Sequence, residues 1–371
     1  MNKLKLVALK IDDMHLAFKD GLNYIVGKNA SGKTTIFNCI RYVIGLSKFN
    51  ESSNVYSISL RACIDDNQLT FSRDAGDTEI SISINDECHR FRPMSKELND
   101  FLCEQLQPDY IFGREYENIF SLLNFFFLSE ERSANRRQQW EAINSVCGIN
   151  VSLLASLEKD IAFLKREVRK SENLQSSVAD FLDLLKENLS TCAEKNSIDK
   201  AINTTMKQFF SKSEDEKELL IHAAKKLEFI KSESEAQLNN QIAEIESVFV
   251  SLKNFAGYER RELGSLESII KSGTRSISYG EEIFSNFILI LSIAKVAQKS
   301  RYNFPNLIIN DNYLSAGVDN KVYGVALNIL EDMSVAERGF QYIEFTSRGD
   351  LPKEHIVLDL NDRGVQHGFR G

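Results

Sequence analysis

The chain has 371 residues, of which 43% are hydrophobic and 26% charged, and its formal net charge at pH 7 is −8. That mixture excludes a disordered polymer, and the length allows two ordinary domains or one large domain with an insertion. The acidic balance excludes a molecule that is basic overall, so any contact with nucleic acid would have to come from a local patch of Lys and Arg.

No run of about 18 apolar residues occurs, so no bilayer-spanning helix and no membrane partner are expected. Met1 to Lys10 alternates charged and apolar residues like an edge strand, not like a secretory leader. The cysteines at 39, 63, 88, 103, 147 and 192 show no CxxC spacing. Reduced core thiols in a cytoplasmic protein are therefore expected. Prolines number only four, which favours long uninterrupted helices.

The first ninety or so residues read as β-rich. Leu4–Ile11 and Met14–Phe18 pair as strands, and Leu22–Val26 is a short apolar strand that runs into a glycine. A helix over Lys33–Ile44 follows, then alternating strands at Tyr56–Ile64, Gln68–Arg73 and Glu79–Ile84, each bounded by turn residues. Helices are expected at Ser95–Gln105 and Asn135–Val146.

The middle third changes character. An apolar seam runs through 157, 161, 164 and 168, misses at Ser171 and Gln175, and resumes at 178, 182, 185 and 189 in one heptad phase. A looser seam through Leu220, Leu227, Leu238, Ile245, Val248 and Leu252 marks a second helix, Asp215–Phe255, and the polar stretch Thr191–Glu214 reads as the turn between them. At about 1.5 Å per residue, some 40 residues make an arm on the order of 60 Å. A helical subdomain packed on the core is the alternative. Beyond Gly264 the chain alternates again: helix Glu281–Gln298, strand Asn306–Ile309, helix Asn320–Met333, and strands Gln341–Phe345 and His355–Leu360. This places one α/β head in two segments, 1–150 and 258–371, split by an arm at 151–257.

The strongest motif is Gly27-Lys28-Asn29-Ala30-Ser31-Gly32-Lys33-Thr34, which meets G-x-x-x-x-G-K-[ST] at every fixed position and lies between a strand and a helix. Its glycines let backbone N–H groups curl inward onto phosphate oxygens, and the helix N-terminus adds positive potential. Lys33 is the point charge for the β and γ phosphates, and the Thr34 hydroxyl is a candidate Mg²⁺ ligand; Thr35 completes the first turn. ATP and Mg²⁺ are the cofactors implied.

Two further segments narrow the class. Ser276-Ile277-Ser278-Tyr279-Gly280-Glu281-Glu282 resembles the ABC signature LSGGQ/E, with Tyr279 in place of the first glycine. Phe304 to Asn312, an apolar strand ending in Asn310-Asp311-Asn312, looks like a Walker B motif, and Ser315-Ala316-Gly317-Val318-Asp319 looks like the D-loop. With the helical insertion between phosphate loop and signature, the chain resembles the SMC/RecF/RecN/SbcC branch of ABC ATPases, including the small heads of bacterial anti-phage systems. The resemblance implies an α/β ABC-type P-loop ATPase head with an inserted antiparallel coiled-coil arm.

It also implies that two heads sandwich nucleotide. The phosphate loop (27–35) of one subunit and Ser278, Gly280 and Glu281 of the other would then hold the γ-phosphate, and Asp311 would hold the metal. The nucleotide state would control DNA or a separate effector such as a nuclease. Departures concern catalysis. Asn312 stands where the family has the glutamate that handles the attacking water, and an amide takes no proton. In a register one residue earlier, Asn310 would replace the Asp and Asp311 the Glu. Glu130 is the candidate for the Q-loop position, and Thr346 or Ser347 stands at the switch histidine. Slow hydrolysis, or ATP binding as a scaffold without turnover, is expected. A repair or recombination ATPase of the RecF type is the other functional reading. The basic clusters Arg132/Arg136/Arg137, Lys165/Arg166/Arg169/Lys170 and Arg260/Arg261 are either DNA contacts or solvated helix faces.

Overall fold

The computed structural model describes residues 1–47, 55–85, 87–108, 119–129, 143–148, 151–188, 195–255, 279–297, 302–312, 318, 320–336 and 339–361. The chain forms two compact units, one of Met1–Asn150 with Leu238–Gly371 and the other of Val151–Gln237.

The first unit is built on two sheets. The antiparallel one has order β2-β1-β4-β5-β6-β7, from β1 (Leu4–Ile11), β2 (Met14–Ala17), β4 (Ser57–Ile64), β5 (Asn67–Asp74), β6 (Ile80–Ile84) and β7 (Glu87–Phe91). Buried and less buried residues alternate along all of β4 and along β5 from Gln68 onward, and the two strands pair over their whole length. The edge strand β7 went unread in the sequence because Glu-Cys-His-Arg-Phe carries little apolar alternation. It leaves Cys88 exposed, a correction to the expectation of core thiols, while Cys39, Cys103 and Cys147 are buried.

The second sheet, with order β11-β3-β10-β9-β8, is parallel at every junction. It consists of β3 (Gly21–Val26), β8 (Phe127–Ser129), β9 (Leu307–Asp311), β10 (Gln341–Thr346) and β11 (Ile356–Asp359). β3, β9 and β10 are almost wholly buried, as a sheet with helices on both faces requires. Helix α1 (Lys33–Ile44) packs on one face, with Phe37 edge-on to Phe345. The other face meets α6 (Tyr279–Ala297) through Phe287 against Tyr342, and α7 (Asn320–Ala336) through Tyr323 against Glu344. Here α2 is Lys96–Leu106, capped by the Ser95 hydroxyl, and α3 is Ile119–Phe126.

A glutamine joins the two sheets. β2 pairs with β1 only from Ala8 to Ile11, so on that side the Leu6 backbone faces no strand, while on the other it pairs with Ala62 of β4. The fully buried Gln341 amide accepts from the Leu6 N–H and donates to the Leu6 carbonyl, both at 2.9 Å, and also donates to the Lys19 carbonyl. An apolar residue there would leave several buried backbone groups unsatisfied.

The second unit is a helical pair: α4 (Val151–Asn188) and the first part of α5 (Lys195–Phe255), which continues into the first unit. Ion pairs Glu158–Lys231, Lys165–Glu228 and Glu172–Lys217 run in opposite directions along the two helices, so the pair is antiparallel. The stretch read as a turn, 191–214, is helical from Lys195 onward. The segment 195–255 contains no Gly or Pro to stop a helix, and Met206, Phe209 and Ser213 continue the heptad phase of Leu220. Polar composition marked a solvated face, not a break. The seam positions Ser171 and Gln175 do face α5: Gln175 donates to Ser213 Oγ at 3.0 Å and to Glu214 at 3.1 Å, and the Ser171 and Ser213 hydroxyls lie 3.4 Å apart. Beside this polar layer lies a cleft of about 430 Å³ walled by Leu174, Phe209 and Leu220.

Candidate functional site

The candidate site lies at the C-terminal ends of the parallel strands, where open α/β sheets place ligands. β3 ends at Val26, and the loop 27–32 turns the chain into α1. Gly32 has φ 97°, in the left-handed region, and closes the loop as the N-cap of α1 without a side-chain cap, which leaves the helix N–H groups turned outward. A side chain at Gly27 would run into Ser31 and Leu360. Lys28, Asn29, Ala30 and Thr34 are exposed, and Ser31, Gly32 and Thr35 half-buried. The Ser31 hydroxyl is buried with no hydrogen-bond partner. That is a donor held ready for an acceptor such as a phosphate oxygen.

Lys33 is 7% exposed and its amine donates to the Gly27 and Lys28 carbonyls at 2.6 and 2.9 Å. Burial pushes its pKa down, opposed by the nearby Asp311 carboxylate. Asp311 ends β9, on the strand two places from β3, and its Oδ1 accepts from the Thr34 hydroxyl at 3.4 Å. Asn310 points to the opposite face, where its amide donates to the Tyr342 hydroxyl at 2.8 Å. The structure thus brings Asp311, and not Asn310, to Thr34. Asn312 lies just past the strand with φ 55°, its N–H donating to the Phe345 carbonyl at 2.9 Å. Thr34 and Asp311 are hard oxygen donors close together, a pair suited to Mg²⁺, which takes one or two protein oxygens and fills its octahedron with phosphates and water.

Gly280 and Glu281 are in the first turn of α6, with only their backbone described. Ser278, Glu130 and 315–317 lie outside the described residues. Ser129, just before Glu130, ends β8 and pairs in register with Asp311.

A family model described as an AAA domain matches residues 9–254. The chain belongs to the AAA-domain family. The match spans the phosphate loop and both arm helices. Among solved structures, the fold is similar to the crystal structure of the Smc head domain with an extended coiled coil, bound to the C-terminal domain of ScpA, derived from Pyrococcus furiosus. The similarity has a TM-score of 0.55 at 17% identity, over 94% of this chain and 90% of that one. No curated protein matches the sequence. The AAA-domain chain is therefore an AAA-type ATPase with the α/β fold of an SMC head and a helical coiled-coil arm. No described helix is long and apolar enough to cross a membrane.

Several contacts around the site of this AAA-domain protein escaped the sequence reading. Lys28 N–H donates to the Asn361 side chain at 3.0 Å, and the Leu360 N–H donates to the Val26 carbonyl, so the residues after β11 brace the phosphate loop. The Gly27 N–H donates to the Thr346 carbonyl. Beneath the site, fully buried Glu344 accepts from the Tyr323 and Tyr342 hydroxyls at 2.9 and 3.1 Å on one oxygen, while its other oxygen has no partner. Burial raises its pKa to about 7 against the opposing effect of those two hydroxyls and of Arg348. No pattern in the sequence marks Asn361 or Glu344, because each gains its meaning from strands far away in the chain.

Of the basic clusters, Arg132, Arg136, Arg137, Arg260 and Arg261 lie outside the described residues. On α4, Lys165 pairs with Glu228, and both Arg166 and Lys170 approach Glu167. Much of that cluster's charge is neutralised locally.

Proposed function

We propose that this chain binds ATP·Mg²⁺ between Lys33 and Asp311 and that nucleotide joins two copies head to head, a slow ATPase cycle then controlling a partner. The observation that carries this reading is the meeting of the phosphate loop, the Thr34 hydroxyl and the Asp311 carboxylate at one end of the parallel sheet. In it, the amides of 27–35 cradle the phosphates and Lys33 leaves the Gly27 and Lys28 carbonyls to pair with phosphate oxygens. Thr34 and Asp311 are the residues that would hold Mg²⁺, with Glu130 as a third. The ion would neutralise charge on the phosphates. Ser278, Gly280 and Glu281 of a second copy would close the site, and the head would comprise 1–150 and 258–371 with 151–257 as arm.

The partner is DNA or a separate effector protein such as a nuclease. The locally paired basic residues of α4, together with large apolar side chains left exposed on the arm (Phe163, Phe181 and Phe229, each more than half exposed), favour a protein. A cytoplasmic anti-phage setting rests on the family resemblance alone. A second reading, an ATP-bound scaffold that does not hydrolyse, is favoured by Asn312, since no acidic side chain follows Asp311 to handle the attacking water.

Light-scattering mass of wild type and Lys33→Ala, each without nucleotide and with ATP·Mg²⁺, tests the proposal, with phosphate release followed in parallel. Doubling of mass with ATP in wild type alone is the expected result. Unchanged mass in wild type would overturn the ATP-gated dimer. Doubling without phosphate release would select the scaffold reading.

A further inference from the structure

The end of β10 is a junction. Its Thr346 carbonyl accepts from the Gly27 N–H at the start of the phosphate loop, at 3.1 Å, and its Phe345 carbonyl accepts from the Asn312 N–H beside Asp311, at 2.9 Å. The fully buried Thr346 hydroxyl is turned to the following bend, where it accepts from the Arg348 N–H at 3.2 Å. The Arg348 side chain then reaches back over the entry to α7. One terminal nitrogen donates to the Val318 carbonyl at 2.9 Å and the other to Asn320 Oδ1 at 2.5 Å. Its guanidinium carbon Cζ lies over the Tyr323 ring, 4.1 Å from the ring centre, and the Tyr323 hydroxyl in turn holds Glu344 of β10. Val318 and Asn320 are thus tied to β10 by a planar fork, and Tyr323 by a second bond two residues before Thr346.

Stability alone is a poor account of this placement. A guanidinium at a helix N-terminus opposes the helix dipole. A neutral donor could brace one carbonyl without that penalty, whereas two divergent acceptors and an aromatic face together call for the guanidinium. The path from the phosphate loop is short. Gly27 donates its N–H to the Thr346 carbonyl, and its own carbonyl accepts from the Lys33 amine. Moving Lys33 from that carbonyl to a phosphate changes the bonding of the same residue that Thr346 holds.

We propose that Arg348 is a positioning residue, which keeps Val318 and Asn320 at the entry to α7 in register with the phosphate loop so that nucleotide arrival at Lys33 is felt there. This rests on the nucleotide reading given above. Lys33 and Asp311 make the site, and Arg348 connects it to the segment that precedes α7.

Hydrogen exchange of the full chain, with and without saturating ATP·Mg²⁺, tests it in wild type, Arg348→Ala and Arg348→Lys. In wild type, ATP slows exchange about fivefold or more both in a peptide over 27–36 and in one over 318–325. In Arg348→Ala the slowing at 27–36 remains and that at 318–325 disappears. Arg348→Lys, with a point charge but no fork, recovers less than half of it. ATP-dependent slowing at 318–325 that persists in Arg348→Ala, or that is absent in wild type while 27–36 responds, overturns the proposal. Faster exchange of both peptides in Arg348→Ala even without ATP would assign Arg348 a merely structural role and overturn it too. No response at 27–36 in wild type would remove the nucleotide reading itself and this inference with it.

Discussion

In the first unit, Asn310, Gln341 and Glu344 are fully buried and each reaches a particular partner on another element. In the second unit, Ser171, Gln175 and Ser213 form a polar layer that satisfies itself beside an open cleft, while Phe181, Leu184 and Leu219 stand more than half exposed. The two units are specified in different ways. The first depends on single side chains whose replacement strands a buried group. The second depends on a heptad average that tolerates misses, because a helix satisfies its own backbone and an imperfect seam costs only part of the interface. Substitutions should therefore act steeply in the first unit and shallowly in the second.

The largest separation is expected in packing. Phe345→Ala, which removes a fully buried ring between β10 and α1, should cost about 3–5 kcal/mol in urea unfolding. Leu184→Ala on the exposed arm face should stay within about 0.5 kcal/mol. Comparable losses would break the contrast.

Next comes pH. Glu344 titrates near 7 in the folded state against 4.5 for the free group, so folding favours its protonated form. Its contribution is complete below about pH 4.5 and is lost as pH rises through 7, by about 3 kcal/mol in all. Glu344→Gln should flatten the fall in thermal stability across that window. An unchanged pH profile would show that the carboxyl is not the group responsible.

Lys33→Ala should weaken ATP·Mg²⁺ binding about a hundredfold by equilibrium dialysis, the scale of a lost charged hydrogen bond, near 2.7 kcal/mol. Ser213→Leu in the arm should leave that affinity within about twofold. The smallest effect sharpens the comparison from the arm side. Replacing Ser171 and Ser213 together by Leu should raise stability by about 1 kcal/mol, since a half-buried polar layer at a helical seam trades stability for register. A loss of similar size would mean that the cleft cannot accommodate the added methyl groups.

Legibility followed the same division. The phosphate loop and α1 could be read because a fixed spacing of Gly, Lys and Thr carries its own geometry, and α1 falls at Lys33–Ile44 as that spacing demands. The apolar run of β9 is legible by itself and the strand ends at the acidic Asp311 of the Walker B-like segment, but which of Asn310 and Asp311 faces Thr34 is set by the sheet and not by the run. The arm's phase was legible through Ile161 and its successors. Its tip was misplaced, because 195–214 is polar without being helix-breaking. Arg348, Asn361 and Glu344 were invisible for a plainer reason: they act through partners brought close only by the order of strands.

That order has a consequence for how the protein is made. Lys28 N–H and Asn361 are 333 positions apart, and β9, β10 and β11 all follow the arm in the chain. A ribosome delivers the phosphate loop ahead of the arm, yet three of the strands that frame it emerge only after the arm. Until then the loop lacks its contacts with the Thr346 carbonyl, the Asn361 side chain and the Asp311 carboxylate. Contacts of such long span also slow folding. Nucleotide present during refolding should therefore leave the early phase unchanged and act only on the final docking of residues beyond 302.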